Sequence, residues 1–403
     1  MPGQLCNERQ AERWTARVIP FFILGLFGLG TYAVVARICI DYLYRHKGQH
    51  GTAVALLALH FVFLFAAIPP YVRTVVTTQR NPGSVGFNDR RQAAEDQRRA
   101  LPKRERQDVE AQNTWTSIDQ DPDSPGLEAF YTKDVFVCEA DGRPRWCALC
   151  WNWKPDRAHH SSQLGRCVRK MDHFCPWVGG MVAETSFNFF FQFTFHATLY
   201  ASVCLGASAY ALSLQVREGM SLDGRVVAAL VVAALFGFFA LGMTLSSGRY
   251  ILENKTNIDA LARRQQFYLA IRVPLDTPSA PGYWTVTYPL PRPSEVPELF
   301  DDIQSRRDHH ARRTFAIVQT QPGENPWDLG VWRNVKSVLG SSPLEWLLPI
   351  RHSPCCRHDS PESDYEMNDA LMEKLHSRYN LPRFRPESAA TTATGAPLRE
   401  KAA

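Results

Sequence analysis

Residues 18–36 read VIPFFILGLFGLGTYAVVA, an apolar run that contains no charged side chain. Three further runs share this character: residues 52–72 (TAVALLALHFVFLFAAIPPYV), 187–214 (FNFFFQFTFHATLYASVCLGASAYALSL) and 226–245 (VVAALVVAALFGFFALGMTL). Each run is near the roughly 20 residues that a helix needs to cross the hydrocarbon core of a membrane. One such run could be a buried helix of a large soluble protein, but four in one chain predict an all-α polytopic membrane protein with four transmembrane helices.

The first run could also be read as a signal peptide, because Arg9, Arg13 and Arg17 precede it. It is long for the apolar part of a signal peptide, however, and it lacks a clear cleavage site. We therefore interpret it as the first span.

The composition favours a chain divided between membrane and cytosol. The 403 residues carry a formal net charge of +5, and charge and proline are concentrated outside the apolar runs. No basic run is interleaved with aromatic side chains, so we expect no nucleic-acid partner. Four of the ten cysteines crowd into one segment together with histidines: Cys147, Cys150, Cys167 and Cys175. That clustering favours metal binding or catalysis in a reducing compartment over a disulfide framework.

The basic residues that flank the spans predict the orientation of the chain. The two short connections carry few of them, Arg37, Arg45 and Lys47 in the first and Arg217 and Arg225 in the second. Residues 73–186, between spans two and three, are heavily basic by contrast. By the positive-inside rule this segment, with its cysteine cluster, and both termini of the integral membrane protein are expected to face the cytosol.

Composition also divides the chain outside the spans. Residues 88–112 are dense in charge and nearly free of large apolar groups, and the C-terminus ends in an Ala/Thr/Pro/Glu mixture, so both are predicted to be disordered. Frequent prolines between Pro274 and Pro297 imply an extended connector. The expected order is a cytosolic N-terminus (1–17), helices one and two (18–72), a largely disordered cytosolic linker (73–144), a small irregular zinc-binding cysteine-rich domain (145–186), helices three and four (187–245), a cytosolic C-terminal region (246–358) and a disordered tail (359–403).

The spacing Cys147-x-x-Cys150 is typical of a zinc knuckle, in which two thiolates grip one ion from a tight turn. Cys167 supplies a third thiolate and His159 or His160 a fourth ligand, and spacing alone leaves both histidines open. Four protein ligands close the coordination sphere, so this pattern predicts a structural zinc site. The alternative is a reduced, metal-free thiol cluster.

Cys175 stands outside that set, two residues after His173, which Asp172 precedes. These are the parts of an activated thiol: a nucleophile, a base that deprotonates it and a carboxylate that orients the base. Because a free thiol titrates near about 8.5, such a base matters at cytosolic pH. An Asp-His-x-Cys string could also belong to a second metal shell, but its position just before a membrane span on the cytosolic side favours the nucleophile.

The cysteine-rich segment resembles the signature of the DHHC family of protein S-acyltransferases, and within it the fungal Pfa subgroup. The matching strings are Lys154-Pro155-x-Arg157-x-His159-His160 and Met171-Asp172-His173-x-Cys175-Pro176-Trp177. Three flanking segments are similar to further motifs of that family, in the family's order: residues 81–83 (NPG), 254–259 (NKTNID) and 325–330 (NPWDLG) followed by Asn334. The resemblance covers most of the chain outside the linkers.

The resemblance implies one zinc site where members of the family usually hold two. It assigns the first site to Cys147, Cys150, His160 and Cys167. The positions of the second site are occupied by residues that cannot bind zinc in the usual way: Ser161, Leu164, Phe174 and Met181. Phe174 replaces a histidine of that lost site, while the residues that serve catalysis in the family, Asp172, His173 and Cys175, remain. Packing by the apolar replacements could take over part of the metal's role.

The family transfers palmitoyl or another long-chain acyl group from acyl-CoA to protein cysteines, which here implies a ping-pong mechanism through S-acyl-Cys175. The implied partners are membrane lipids, fatty acyl-CoA and cytosol-facing proteins with accessible cysteines. Several basic residues could meet the CoA phosphates or form a solvated face near anionic lipid: Arg157, Arg166, Arg169 and Lys170. Two rival functions are a catalytically inactive membrane adaptor that keeps only the zinc fold and a cysteine hydrolase that removes acyl groups.

Polar residues also recur within span three. Asn188, Gln192 and His196 fall every four residues and therefore share one helical face. Polar groups at membrane depth should face protein or a cavity, so we expect this face to pack against another helix near the acyl cavity rather than to act in catalysis.

Overall fold

The computed structural model describes residues 2–100, 118–121, 124–261, 266–290 and 311–384. Its four long helices are α1 (Pro2–Thr31), which continues as a π-helical segment (Tyr32–His46), α2 (His50–Arg80), α5 (Phe187–Arg217) and α6 (Gly224–Leu252). Four stretches are long and apolar enough to cross a membrane: Val18–His46, His50–Arg80, Phe187–Arg217 and Gly224–Leu252. The predicted helical architecture with four membrane spans is confirmed.

Helix α5 packs against both α2 and α6. Its small residues Ala207 and Ala211 are buried in one apolar cluster with Ile38 of the π-helical segment. At the end of the bundle remote from the cysteine-rich segment, Arg37 pairs with Asp41 (2.6 Å) and with Asp223 (2.9 Å). Pairing lowers the cost of holding these charges close to the membrane.

The cysteine-rich segment between α2 and α5 is built from three antiparallel hairpins. They pair β2 (Trp146–Cys147) with β3 (Asn152–Trp153), β4 (His159–Ser161) with β5 (Arg166–Val168), and β6 (His173–Cys175) with β7 (Gly180–Val182). A 3₁₀ turn (Pro176–Val178) links β6 to β7, and Gly179 after it has a φ of 76°, in the left-handed region that favours glycine. The segment is the small irregular domain that the sequence predicted.

A four-stranded antiparallel sheet lies outside the cysteine-rich segment, and the sequence analysis did not predict it. Its strand order is β1 (Val135–Cys138), β8 (Tyr268–Val273), β10 (Arg313–Gln319) and β9 (Trp284–Tyr288). One apolar cluster joins this sheet to Trp327, and a second joins it to Trp153 of β3. The sheet therefore packs against the cysteine-rich domain and the C-terminal region at once.

Two segments predicted to be disordered contain regular structure. The predicted linker holds α3 (Asp89–Ala100), α4 (Glu128–Tyr131) and strand β1, while residues 101–117 lie outside the described residues. The predicted tail holds α10 (Asp369–Tyr379), which buries Leu371 and Leu375 and is capped by the side chain of Asn368. The Ala/Thr/Pro/Glu mixture that predicted disorder in the tail lies at the end of the chain. Residues 385–403 are again outside the described part.

Short helices complete the C-terminal region. They are α7 (Asn257–Leu261), α8 (Val331–Leu339) and α9 (Pro343–Leu347), followed by a 3₁₀ turn at Pro354–Cys356. Helix α8 packs against α6, and α9 packs against α5, so this region lies close to the membrane helices.

Candidate active site and metal centre

Four potential metal ligands converge where the first two hairpins meet. The ligand atoms of Cys147, Cys150, His160 and Cys167 all lie within 4.8 Å of one another. The N–H groups of Cys150 and Trp151 both donate to the carbonyl of Cys147, and this closes the tight turn that brings the first two thiols together. Three thiols and one imidazole at this separation form a closed donor set of the kind that holds a structural zinc ion.

The structure distinguishes His160 from His159, which spacing alone left open. His160 Nδ1 lies 3.2 Å from Cys150 Sγ and 3.6 Å from Cys147 Sγ. A tetrahedral zinc ion with ordinary bond lengths separates its sulfur and nitrogen ligands by about 3.6 Å, so the cluster fits zinc. Neighbouring side chains of a strand point to opposite faces, and His159 of β4 therefore points away from the thiols.

The positions that the family resemblance assigns to a second zinc site join a small apolar cluster instead. Met181 is fully buried beside Val168, and Leu164 and Phe174 pack against them. Ser161 is also fully buried, and its hydroxyl accepts a hydrogen bond from the N–H of Leu164 (3.2 Å). Apolar contacts thus connect hairpins β4–β5 and β6–β7, as expected of the replacements.

Strand β6 carries the predicted catalytic residues. His173 and Cys175 are two residues apart on an extended strand, so their side chains point to the same face of the hairpin. Asp172 Oδ2 lies 2.6 Å from His173 Nδ1, and Asp172 Oδ1 accepts a hydrogen bond from the N–H of Asn257 (2.8 Å). The structure therefore brings all three predicted residues together and fixes the carboxylate from two sides.

The hydrogen bonds of His173 leave one ring nitrogen for the thiol. Nδ1 donates to Asp172, whereas Nε2 is buried and makes no hydrogen bond within the described part of the chain. Burial lowers the pKa of His173, but the Asp172 carboxylate and the neighbouring Cys175 sulfur outweigh burial and raise that pKa to about 10. An imidazole this basic can take the proton of Cys175 and leave a thiolate.

His173 and Cys175 line one end of an apolar cavity of about 320 Å³. Its walls come from α1, α5 and α6 and include Ile23, Phe27, Phe193, Ala229, Ala233 and Met243. From Phe190 to Cys204 the cavity follows α5 for about 21 Å, at 1.5 Å of rise per residue. A cavity of this length among membrane helices can hold an extended chain of about 16 carbons, which gains roughly 0.8 kcal/mol per buried CH₂.

Two of the four basic residues predicted to meet CoA phosphates are held inside the protein. The side chain of Arg157 is 1% exposed, pairs with Asp259 (2.6 Å) and donates to Asn254 Oδ1 (3.0 Å). Lys170 is 5% exposed and donates to the same oxygen (3.2 Å). Both cations thus tie the cysteine-rich domain to the segment that follows α6. This burial leaves Arg157 and Lys170 poorly placed for the phosphate contacts predicted for them.

Other cations remain within reach of solvent. Of the other two predicted residues, Arg169 keeps 26% of its side chain exposed, and Arg166 is half-buried with its guanidinium 4.3 Å from the centre of the Phe87 ring. A small polar cleft is lined by Arg145 and Lys154, for which no sequence pattern predicted a role in phosphate binding; burial lowers the pKa of His159 beside them to about 4, so that imidazole is neutral at cytosolic pH. Lys154 stands in the quoted Lys-Pro-x-Arg-x-His-His string, which is the signal that could have pointed to it, whereas Arg145 lies outside any motif.

The segment with the sequence NPWDLG caps the end of α6. Asn325 donates to the carbonyl of Glu253 (2.9 Å), and Asn334 donates to the carbonyl of Leu252 (2.7 Å). The last carbonyls of a helix need such partners because no further turn supplies them. The chain that leaves α6 at this cap leads to Asn257, whose N–H donates to Asp172, so the cap also positions the active site.

The fold and this site define a membrane-embedded enzyme whose candidate nucleophile is a cysteine that lines a long apolar cavity. Cys175 lies two residues from the oriented His173, an apolar cavity lined by both runs among the long helices, and four potential metal ligands lie where the neighbouring hairpins meet.

Comparison with known proteins identifies the family. Residues 140–264 match the sequence model of the family described as DHHC palmitoyltransferase. The chain is 39% identical over 400 residues to palmitoyltransferase pfa5 of Aspergillus fumigatus, which covers 90% of each protein. It is 35% identical over 433 residues to palmitoyltransferase pfa5 of Emericella nidulans, covering 92% of this chain and 87% of the relative. It is 24% identical over 345 residues to palmitoyltransferase PFA5 of Saccharomyces cerevisiae, covering 84% of this chain and 80% of the relative. The chain belongs to the DHHC palmitoyltransferase family.

Proposed function

We propose that this palmitoyltransferase carries a long-chain acyl group on Cys175 and passes it from acyl-CoA to cysteines of substrate proteins. The single observation that supports this most strongly is the placement of Cys175. Its sulfur shares one face of β6 with a histidine whose Nδ1 is held by Asp172, at the end of an apolar cavity among the membrane helices. The curated relatives are named palmitoyltransferases, which agrees with a palmitoyl donor.

The reaction has two halves, and His173 moves the proton in both. His173 Nε2 takes the proton of Cys175, and the thiolate attacks the thioester carbonyl of acyl-CoA. The bond from the acyl carbon to CoA sulfur breaks, and CoA leaves as a thiol after the imidazolium returns the proton. In the second half His173 deprotonates the acceptor cysteine, which attacks the acyl-Cys175 thioester and frees the Cys175 sulfur, which regains a proton from His173.

Asp172 keeps His173 in the productive tautomer during both halves. Because its carboxylate accepts from Nδ1–H, the proton on the ring is placed there and Nε2 faces the thiol. The acyl tail remains in the cavity meanwhile, so the thioester is presented where the hairpins meet the membrane helices.

The metal centre would have a structural role. Cys147, Cys150, His160 and Cys167 would hold one zinc ion, and a closed set of four protein ligands leaves it no position for substrate. Bound zinc supplies a cross-link between hairpins β2–β3 and β4–β5, in a domain too small to have a large apolar core.

The CoA phosphates would meet the cations that stay accessible. Arg169 and the cleft residues Arg145 and Lys154 fit this role better than Arg157 and Lys170, which are more deeply buried. Acyl-CoA would reach the site from the cytosol, because the cysteine-rich domain and both termini are expected on that side by the positive-inside rule.

The rival adaptor would keep the zinc fold without chemistry, and membership of this family does not favour it. A two-step assay on the purified chain separates the two. The chain is incubated with fluorescent palmitoyl-CoA, freed of excess donor, and then given a cysteine-bearing acceptor peptide anchored in the same liposomes. We expect label to leave the enzyme and appear on the peptide, with Cys138→Ala as a cysteine control that retains transfer. Label that never forms on the enzyme would support the adaptor, and label released as free fatty acid without acceptor would support the hydrolase.

A further inference from the structure

The polar face of α5 packs against another helix, the short α9, as its spacing had predicted, and its side chains bind backbone carbonyls of α9 and of the turn that follows it. Gln192 Nε2 donates to the carbonyls of Glu345 (2.6 Å) and Leu348 (3.0 Å), and His196 Nε2 donates to that of Leu347 (2.8 Å). We call residues 343–351, which comprise α9 and the turn after it, the hook.

Three further hook carbonyls are held in the same way. Asn188 Nδ2 donates to the carbonyl of Arg351 (3.0 Å), and the guanidinium of Arg73 on α2 donates to the carbonyls of Pro349 and Ile350. Six of the seven backbone carbonyls from 345 to 351 therefore accept a hydrogen bond from a side chain of a membrane helix.

The depth of these contacts places the hook within the membrane. Helix α5 has 31 residues and is about 46 Å long, against a hydrocarbon core of about 30 Å, so a centred core would begin about 8 Å from either helix end. Gln192 lies about 8 Å and His196 about 14 Å along the axis from Phe187, at 1.5 Å per residue. Irregular backbone is tolerated at that depth only where protein groups satisfy it, and Gln192 and His196 do so here.

The opposite side of the hook is apolar and uncovered within the described part of the chain. Leu344 is 62% exposed, Leu347 46%, Leu348 44% and Ile350 54%. On the neighbouring surface of α2, Val72 and Val76 are also exposed, so the apolar surface of the hook continues that of a membrane span. Leucine and isoleucine beside a span, with their backbone polar groups turned inward, suit acyl chains of lipid and not water.

We propose that the hook is a re-entrant segment that inserts into the leaflet on the side of the cysteine-rich domain, with lipid acyl chains as its partner. The hook is joined to α8, whose Val338 and Leu339 pack in the same apolar cluster as Cys175. Lipid contact at the hook therefore fixes the height of the reactive sulfur relative to the bilayer. The proposal rests on the hook's contacts alone and does not depend on acyl transfer.

Photo-crosslinking of the full chain in phosphatidylcholine liposomes tests this proposal. Benzoylphenylalanine replaces Leu348 in one variant and Leu275 in the matched control, because the two leucines are 44% and 43% exposed and Leu275 follows strand β8 of the cytosolic sheet. After illumination we expect about fivefold or more phosphatidylcholine adduct at position 348 than at 275, by mass spectrometry of the intact chain.

Position Ile350 is examined in parallel, so that a folding defect at one site does not decide the result. Lipid adduct at 348 or 350 well above that at 275 supports the proposal. Equal adduct at all three positions, or cross-linking at 348 and 350 to a second copy of the chain in place of lipid, would overturn it.

Discussion

Asp172→Asn changes one atom of the site and should nearly stop acyl loading. Aspartate offers two oxygens, one to His173 and one to the N–H of Asn257, whereas asparagine has one oxygen for the two donors. The lost charge-assisted bond costs about 1.5–3 kcal/mol, and a buried N–H left facing the amide group adds about 1–3 kcal/mol. If about 3–5 kcal/mol of this falls on thiol activation, the loading rate drops about 100- to 5,000-fold.

The assay is single-turnover loading of the purified chain with fluorescent palmitoyl-CoA in liposomes, read as hydroxylamine-sensitive label. Asp141→Asn is the control, because that exposed carboxylate accepts only from the N–H of Arg143 in its own turn among the described contacts. A role in orienting His173 further predicts that loading by Asp172→Asn recovers as the pH rises and the thiol ionises without help. Loading at the wild-type rate, or a defect of the same size at every pH, would refute this reasoning.

Three further predictions concern the metal centre, the cavity and pH. His160→Ala should abolish stoichiometric zinc in elemental analysis and lower the melting temperature, whereas His159→Ala should keep the metal; equal loss in both variants would contradict the assigned ligand set. Ala233→Phe fills the middle of the cavity and should shift the preferred donor from about 16 carbons to a shorter chain, measured by competition among acyl-CoAs; an unchanged preference would mean that the tail lies elsewhere. His173 binds its proton more tightly in the folded chain than in the unfolded one. The stability that the protonated histidine adds to the fold is therefore fully present below about pH 6.5 and is lost as the pH rises through about 10. The melting temperature of the wild type should therefore approach that of His173→Gln over this range, and a gap that stays constant from pH 6.5 to 10 would count against the paired imidazolium.

The sequence predicted best where the interacting residues are close along the chain. The Cys147-x-x-Cys150 turn and the Asp172, His173 and Cys175 set both arise within single hairpins, so spacing alone brings their side chains together. The four spans were equally visible, because each is a local apolar run.

Contacts between segments that are distant along the chain could not be predicted from local spacing. Arg157 belongs to a basic stretch, and only the fold shows that Asp259 lies 2.6 Å from its guanidinium and removes it from solvent. Strand β1 was assigned to a linker because its pairing with β8, Val135 opposite Ile271, has no local signature. Both the burial of Arg157 and the pairing of β1 depend on contacts with distant segments, which local composition does not predict.

The choice between His159 and His160 shows how little structure was needed to complete the prediction. Both histidines have acceptable spacing, but once the segment is extended their side chains face opposite ways, and only His160 meets Cys147 and Cys150. A strand at that position, which the sequence analysis did not assign, would have been enough.

Peptide mapping of the palmitoylated enzyme tests the central claim most directly. The purified chain is incubated with palmitoyl-CoA without an acceptor, digested under acidic conditions that preserve thioesters, and analysed by mass spectrometry. We expect one palmitoyl group on the peptide that carries Cys175, removable by hydroxylamine and missing from Cys175→Ala. Palmitate that remains on the Cys175→Ala chain and still passes to an acceptor cysteine at the normal rate would show that another group carries the acyl chain.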